Sequence, residues 1–196
     1  MTTYIHSLEE LDISSGTPIY NPTPDLENLS LTDPAIDAMT DLKRISAITI
    51  DTDSTIDLAI EVMRHAGVRL LLVVDDKGLI IGLITARDIM GEKPLKISEQ
   101  ERIPHDEILV QHAMTPREEI NFFDIKDVEH ATVQDMVTKL KDFGRQHCIV
   151  IEHNEDTDRY YARGIFSITQ IGKQLGMEIS PDGHVQSFSE FEQLIA

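Results

Sequence analysis

The chain has 196 residues and a net charge of −18, from 17 basic and 35 acidic side chains. Such acidity argues against binding to nucleic acid or to anionic membrane surfaces, which carry charge of the same sign. The longest apolar run, Leu70–Val74, is far shorter than the ~20 residues that a membrane-spanning helix needs. The single cysteine, Cys148, excludes an internal disulfide, and the N-terminus lacks the pattern of a signal peptide. We therefore expect a cytoplasmic protein that binds neither nucleic acid nor membranes.

The first part of the chain, residues 1–44, differs in composition from the rest. Residues 1–42 contain eight acidic side chains and neither lysine nor arginine, together with four of the eight prolines. No helical or strand periodicity lasts for more than a few residues. This composition predicts a loosely ordered acidic arm that packs on a partner surface.

Beyond the arm, an amphipathic helix pattern occurs twice. Apolar residues at helical spacing predict one helix from Ile56 to Met63, and the same stripe returns 77 residues later as Val133 to Leu140. The candidate N-caps of the first helix are Asp53 and Ser54, and the candidate stops of the two helices are Gly67 and Gly144.

Each predicted helix is followed by two apolar strands and the start of a second helix. The predicted strands are Leu70–Val74 and Leu79–Thr85 in the first half, and Cys148–Ile151 and Tyr160–Ser167 in the second. The following helices start near Ala86 and Ile168. The offset grows to 82 residues between Gly82 and Gly164, so the second hairpin contains five extra residues.

These elements predict two units of the order strand–helix–strand–strand–helix, at 45–91 and 116–176. One unit alone is too small to bury both faces of its sheet, so we expect an α/β (α+β) fold in which the two units pack with pseudo-twofold symmetry. The segment 92–115 is then a connector. Residues 177–196 are predicted to form a tail in which Ser187 caps a short helix.

Two motifs in these units resemble a known family. The first unit reads AGVRLLLVVDDKG at 66–78 and GLITARDI at 82–89, which strongly resembles a CBS domain. The second unit reads FGRQHCIVIE at 143–152 and GIFSITQI at 164–171 and resembles it more loosely. Met114-Thr-Pro116 is similar to the lead-in that often precedes a repeat of this family. The resemblance covers about residues 45–176.

Tandem CBS repeats form so-called Bateman modules, and the resemblance implies their properties here. It implies a regulatory protein rather than an enzyme, without a required cofactor, that senses AMP, ADP, ATP or S-adenosylmethionine in clefts between the repeats. It also implies a homodimer that signals to a protein partner, whose identity the sequence does not reveal.

The family signature of a glycine, two apolar residues, Ser or Thr, and Asp falls on Gly82 to Asp88. The resemblance implies that Asp88 accepts hydrogen bonds from ribose hydroxyls, that Thr85 meets a phosphate, and that nearby arginines neutralise it. The expected ligand-binding residues are Leu83, Thr85, Arg87, Asp88, Arg69, Arg145, His147 and Ser167. The apolar residues around Val68–Leu70 would hold the adenine, because the chain has few aromatics.

A structural alternative explains the same spacing without a ligand. Thr85 with Asp88, and Ser167 with Gln170, both fit a capping box at a helix start. A ligand-free dimeric scaffold would need no more than this. In the second repeat Gln170 replaces the acid, so the cap is favoured there, and we expect the second site to hold ribose weakly, to prefer another ligand or to stay empty.

Other chemistry is poorly supported. His105 and His112 lack the spacing of a zinc site, and no metal centre is predicted. Cys148 lies within an apolar strand and is predicted to be a core residue rather than a nucleophile.

Overall fold

The computed structural model describes residues 29–176, and both predicted units are present in that range. In chain order the elements are β1 (Thr40–Asp41), β2 (Thr49–Asp51), α1 (Ile56–Ala66), β3 (Leu70–Val74), β4 (Ile80–Thr85), α2 (Ala86–Met90), α3 (Lys93–Glu101), α4 (Val110–Ala113), β5 (Thr115–Pro116), β6 (Phe122–Asp124), α5 (Ile125–Val128), α6 (Val133–Asp142), β7 (His147–Asn154), β8 (Arg159–Ser167) and α7 (Ile168–Gln174). The predicted α/β class is confirmed. No helix within residues 29–176 is both long and apolar enough to cross a membrane. The predicted tail helix near Ser187 lies outside the described residues.

The strands of residues 29–176 form two sheets of four strands, in the orders β2-β3-β4-β5 and β1-β8-β7-β6. The pairs β2/β3 and β6/β7 are parallel, and the remaining pairs are antiparallel. Buried side chains from both sheets form one apolar cluster, which includes Leu72 and Leu83 from the first sheet and Ile149 from the second. The clefts between the repeats therefore open at the edges of a shared apolar interface.

The two units exchange their lead-in segments. Strand β1 precedes the first unit but pairs with β8 of the second, with Thr40 opposite Ile165. Strand β5 precedes the second unit but pairs with β4 of the first, with Thr115 opposite Leu83. Each sheet is thus completed by the other half of the chain, which couples the two repeats through backbone hydrogen bonds.

This exchange corrects two predicted boundaries. Residues 29–44 do not form a separate arm, because Ala35, Ala38 and Met39 are buried in the apolar core of the second unit. Residues 92–115 are more than a connector, because α3 and α4 contribute buried side chains such as Ile97 and Val110 to the apolar core of the first unit. The backbone of an unpaired lead-in strand would lose hydrogen bonds, so pairing with the far sheet keeps these segments in place.

Two further local differences concern a cap and a hairpin. Helix α1 is capped by Thr55, whose hydroxyl accepts from the Leu58 amide at 3.2 Å, and not by Asp53 or Ser54. The second hairpin extends both of its strands beyond the predicted ends, and the turn 155–158 takes up the extra residues. The predicted stops fit, because Gly67 and Gly144 have φ values of 67° and 62°, in the left-handed region that favours glycine.

Methionines of the lead-in segments pack against a glycine in each sheet. A Cβ added to Gly82 would lie 2.7 Å from Met114 Sδ and 2.8 Å from the Thr115 carbonyl oxygen. A Cβ added to Gly164 would overlap the side chain of Met39. Glycine is needed at both positions because the exchanged strands approach so closely.

Candidate functional site

The first junction, where β4 passes into α2, is closed by the side chains of Thr85 and Asp88. The Thr85 amide and hydroxyl both donate to Asp88 Oδ2, at 2.9 and 2.6 Å, and the Asp88 amide donates to Thr85 Oγ1 at 3.2 Å. This arrangement is the capping box that the spacing predicted. The Thr85 hydroxyl is therefore used both as a donor and as an acceptor.

One oxygen of Asp88 lies outside this cap. Oδ1 is 3.8 Å from the Lys93 ammonium, which also donates to the Met114 carbonyl at 3.2 Å. The Asp88 side chain retains 22% of its exposure. Oδ1 can accept a hydrogen bond from a ligand hydroxyl while Oδ2 holds the helix start, so the capping and ligand-binding roles are compatible.

The second junction, where β8 passes into α7, has no such cap. Ser167 is the N-cap residue, but its side chain makes no capping hydrogen bond, so the cap predicted for Ser167 and Gln170 is wrong. The ψ angle of Ser167 is 124°, whereas Thr85 and Thr132, which do cap their helices, have 159° and 165°. Both of those boxes also use an aspartate, which Gln170 replaces here.

A smaller cavity of about 260 Å³ lies at the first junction. It brings together six of the expected ligand-binding residues, namely Leu83, Thr85, Arg87, Asp88, Arg145 and His147. The second repeat also contributes Glu119 and Ile120 to its wall. Both repeats therefore line this cavity.

A larger cavity of about 410 Å³ lies at the second junction. Arg69 and Ser167 line it, while Thr85, Arg87 and His147 line both cavities. All eight expected residues therefore lie on one cavity or the other. An apolar wall adjoins them, formed by Leu42, Ala47, Ile48, Val68, Leu70 and Ile165.

The two cavities differ in the charges around them. The larger cavity is lined by Arg69, Arg87 and Lys173, and by no carboxylate among the described residues. The smaller cavity has Arg87 and Arg145, together with the carboxylates of Asp88 and Glu119. Arg145 already pairs with Glu119 at 3.4 Å, so part of its charge is compensated.

His147 stands between the cavities in its neutral form. Burial lowers the pKa of His147 to about 4, against a smaller opposing effect of the Asp88 carboxylate. At neutral pH the ring therefore offers one N–H donor and one nitrogen acceptor rather than a positive charge. Such a ring suits a heterocyclic base better than a phosphate.

Cys148, next in the chain, is fully buried, and burial raises its thiol pKa to about 12, which confirms it as a core residue.

Sequence reasoning missed several residues of the larger cavity. Thr40 and Leu42 belong to the segment predicted to be an arm, and no sequence motif marks Lys173 as a ligand-binding residue. The sequence contains a signal for Thr40 and Leu42, because Ala38-Met-Thr40 recurs as Ala113-Met-Thr115 at the start of the second unit. This repeat indicates that both segments are lead-in strands. Lys173 follows Gln170 by three residues on α7, and this spacing places both on one helix face.

Comparisons with known sequences identify one of the two repeats. Residues 35–94 match the family model of the CBS domain. This match begins at the buried turn Ala35–Ala38 rather than at residue 45, in agreement with the observed exchange of lead-in segments. An uncharacterized protein of Methanopyrus kandleri is 33% identical over 58 residues, which amounts to 30% of this chain and 30% of that protein. The matched region thus spans less than a third of the curated relative.

Solved structures show the same fold over most of the chain. An uncharacterized conserved protein from Pyrococcus horikoshii aligns with a TM-score of 0.52 at 17% identity, covering 78% of this chain and 98% of that one. The CBS domain of a bacterial CNNM/CorC family Mg²⁺ transporter, solved in complex with ATP, aligns with a TM-score of 0.51 at 15% identity, covering 79% and 92%. At these identities the similarity establishes the fold.

Proposed function

We propose that this chain, a CBS-domain protein with two repeats, is a regulatory module that binds an adenosine-type ligand between its repeats. The ligand is AMP, ADP, ATP or S-adenosylmethionine, bound as a regulatory signal and not as a cofactor. The bound state is passed to a separate protein partner, and no catalytic step is part of the proposal. The module acts as a cytoplasmic homodimer.

The observation that carries this proposal is the pair of cavities at the two junctions. They occupy equivalent places in the two repeats, and each is lined by side chains from both. A ligand bound in either cavity contacts both halves of the molecule. Binding therefore favours one arrangement of the repeats over others, which is the requirement for a ligand that acts as a signal.

The two cavities together offer side chains suited to the three parts of an adenosine nucleotide, with the apolar wall lining the larger cavity and Asp88 lining the smaller one. The apolar wall around Val68 and Leu70 offers a slot for the base, and the neutral His147 ring adds a donor and an acceptor beside it. Asp88 Oδ1 offers an acceptor for a ribose hydroxyl in the smaller cavity. Arg87, on the wall shared by both cavities, supplies positive charge for phosphate. The ATP complex of the structurally similar transporter domain supports the same ligand class.

A thermal-shift series with AMP, ADP, ATP and S-adenosylmethionine tests the proposal. A ligand that binds only the folded state at 100 times its Kd adds about 2.7 kcal/mol to the free energy of unfolding, so at least one should raise Tm by several degrees. Arg87→Gln should reduce that shift, because Arg87 lines both cavities. Lys126→Gln removes the same charge from an exposed site away from both cavities and should leave the shift unchanged.

A second candidate function is the ligand-free scaffold, and one observation favours it. The complete capping box of Thr85 and Asp88 explains these two residues without a ligand. The absence of any Tm shift at millimolar concentrations of all four ligands would establish this alternative in place of the sensor.

The homodimer proposal is supported by exposed apolar side chains on adjacent helices. Met90 on α2 and Leu95 on α3 are 64% and 61% exposed. Light scattering of the full chain should give the mass of a dimer, and the double variant Met90→Lys/Leu95→Lys should shift it towards a monomer.

A further inference from the structure

The larger cavity concentrates positive charge on a protein that is otherwise strongly acidic. Arg69 precedes β3, Arg87 lies on α2 and Lys173 lies on α7, so three separate elements bring these cations to one cavity. Within residues 29–176 none of the three forms an ion pair with a carboxylate. Unpaired cations lining a single concave site favour a ligand with several negative charges.

The polar groups beside these cations are mostly able to donate hydrogen bonds. The hydroxyls of Ser46, Ser167 and Thr169 and the amides of Gln146 and Gln170 line the cavity. Ser167 is free for this role because it does not cap α7. Hydroxyl and amide donors suit phosphate oxygens, which only accept hydrogen bonds.

The larger cavity lacks the group that would best recognise a ribose. Vicinal ribose hydroxyls donate most strongly to a carboxylate, because hydrogen bonds to a charged acceptor are about twice as strong as those between neutral groups. No Asp or Glu of the described residues lines this cavity, and Gln170 stands where the first repeat has Asp88. The smaller cavity, in contrast, has Asp88 with an oxygen outside its cap.

We propose that the larger cavity is a site for a phosphate-rich ligand of the nucleoside triphosphate class, and that it recognises the phosphate chain without requiring the ribose hydroxyls. This inference rests on the proposed function and assigns a ligand class to one of its two cavities. The smaller cavity keeps the ribose-dependent role through Asp88.

Isothermal titration of the full chain with ATP, 2′,3′-dideoxy-ATP, AMP and inorganic tripolyphosphate tests this assignment. The Asp88→Ala variant removes the ribose-binding carboxylate of the smaller cavity, so ATP and dideoxy-ATP can be compared without its contribution. In that variant dideoxy-ATP should bind within about threefold of ATP, tripolyphosphate should bind measurably, and AMP should bind at least tenfold more weakly than ATP. The variant Arg69→Gln/Lys173→Gln should lower the affinity for ATP and tripolyphosphate by about tenfold or more, because it removes two positively charged donors to the phosphate oxygens.

A matched control separates the local charge from the net charge. Arg64→Gln/Lys126→Gln removes the same two charges from exposed positions that line neither cavity, and it should change both affinities by less than about twofold. Circular dichroism of each variant confirms that the fold is retained.

The possible results distinguish this inference from the proposed function. The inference is overturned if ATP binds but the loss of Arg69 and Lys173 leaves its affinity unchanged, or if dideoxy-ATP loses more than tenfold in the Asp88→Ala variant. Either result leaves the adenosine sensor standing. If tripolyphosphate binds through these cations while no adenosine ligand binds at all, the cation site is real but the proposed function is wrong.

Discussion

The two strand-to-helix junctions occupy equivalent places in the repeats, yet they use their side chains differently. At the first junction Asp88 and Thr85 bind each other, and the helix start is fixed by the protein itself. At the second junction Ser167 and Gln170 leave the helix start uncapped and line the larger cavity. The carboxylate of Asp88 is therefore partly used by the protein itself, whereas the polar side chains of Ser167 and Gln170 are not used to cap the helix.

The lead-in segments show a second difference between the halves. Strand β1 has ion pairs in addition to the packing of Met39 on Gly164, because Arg163 pairs with Asp41 and with Glu152, the latter at 3.2 Å. The Arg163 guanidinium holds the pKa of Asp41 below its usual range. Strand β5 has Pro116 at the position equivalent to Asp41 and is held by packing, with Met114 against Gly82.

The largest expected effect comes from filling the two glycine positions. Gly82→Ala should reduce the free energy of unfolding by about 3 kcal/mol, because the new methyl meets the Thr115 backbone, which cannot move without breaking the strand pair. Gly164→Ala should cost only about 1 kcal/mol, because it meets the flexible side chain of Met39. Urea denaturation measures both losses, and equal or reversed losses would contradict this account of the exchange.

A double-mutant cycle sharpens the same contrast. Met39→Ala should remove the cost of Gly164→Ala, so the two changes together should destabilise less than the sum of the single changes. Met114→Ala should leave most of the cost of Gly82→Ala in place, since the Thr115 carbonyl remains 2.8 Å from the new Cβ.

The next largest effect concerns the helix caps. Thr85→Ala removes a capping box and should cost about 1–2 kcal/mol of stability. Ser167→Ala removes no capping hydrogen bond and should cost less than about 0.5 kcal/mol. Thr85→Ser keeps the hydroxyl and serves as the control. A similar loss for Ser167→Ala and Thr85→Ala in urea denaturation would show that the second junction is capped in solution.

The repeated units could be predicted because their signals are local and periodic. Helix α6 buries an apolar stripe at helical spacing, from Val133 to Leu140, and strand β3 buries the three central residues of a continuous apolar run. Both patterns are visible as spacing in the chain. The offset between Gly82 and Gly164 located the longer hairpin for the same reason. The confirmed fold class and the family resemblance both rest on these features.

The lead-in segments and the second junction could not be predicted in the same way. Residues 35–41 contain only one turn of helix and a two-residue strand, too short for a period, and their partner β8 lies more than 120 residues later. The absence of a cap at Ser167 depends on a backbone angle and not on the residue pattern, which fits a capping box. The positive charge of the larger cavity could not be predicted either, because Arg69 and Lys173 are more than 100 residues apart in the chain and line one cavity only after folding.

A pH-dependent effect is expected from the histidine between the cavities. In the folded protein His147 is protonated only below about pH 4, whereas in the unfolded chain its pKa is near 6.5. The unfolded state therefore binds more protons between these values, and the free energy of unfolding should fall as pH falls from 6.5 towards 4. His147→Gln should make the free energy of unfolding less dependent on pH between pH 6.5 and 5. The slope should fall by up to the amount that one bound proton contributes. Unchanged slopes in urea denaturation at several pH values would place His147 in a solvated environment.

The smallest expected effect concerns the ion pair at the smaller cavity. Glu119 and Arg145 are both partly exposed and 3.4 Å apart, so their attraction is worth about 0.2–1 kcal/mol. Glu119→Gln frees Arg145 for phosphate and should raise AMP affinity about two- to fivefold, titrated in the Arg69→Gln/Lys173→Gln background. Glu118→Gln makes the same charge change at a neighbouring exposed residue that does not line the cavity, so it should have a smaller effect. Equal gains for both variants would mean that the general charge of this surface, and not the pair with Arg145, limits anion binding at the smaller cavity.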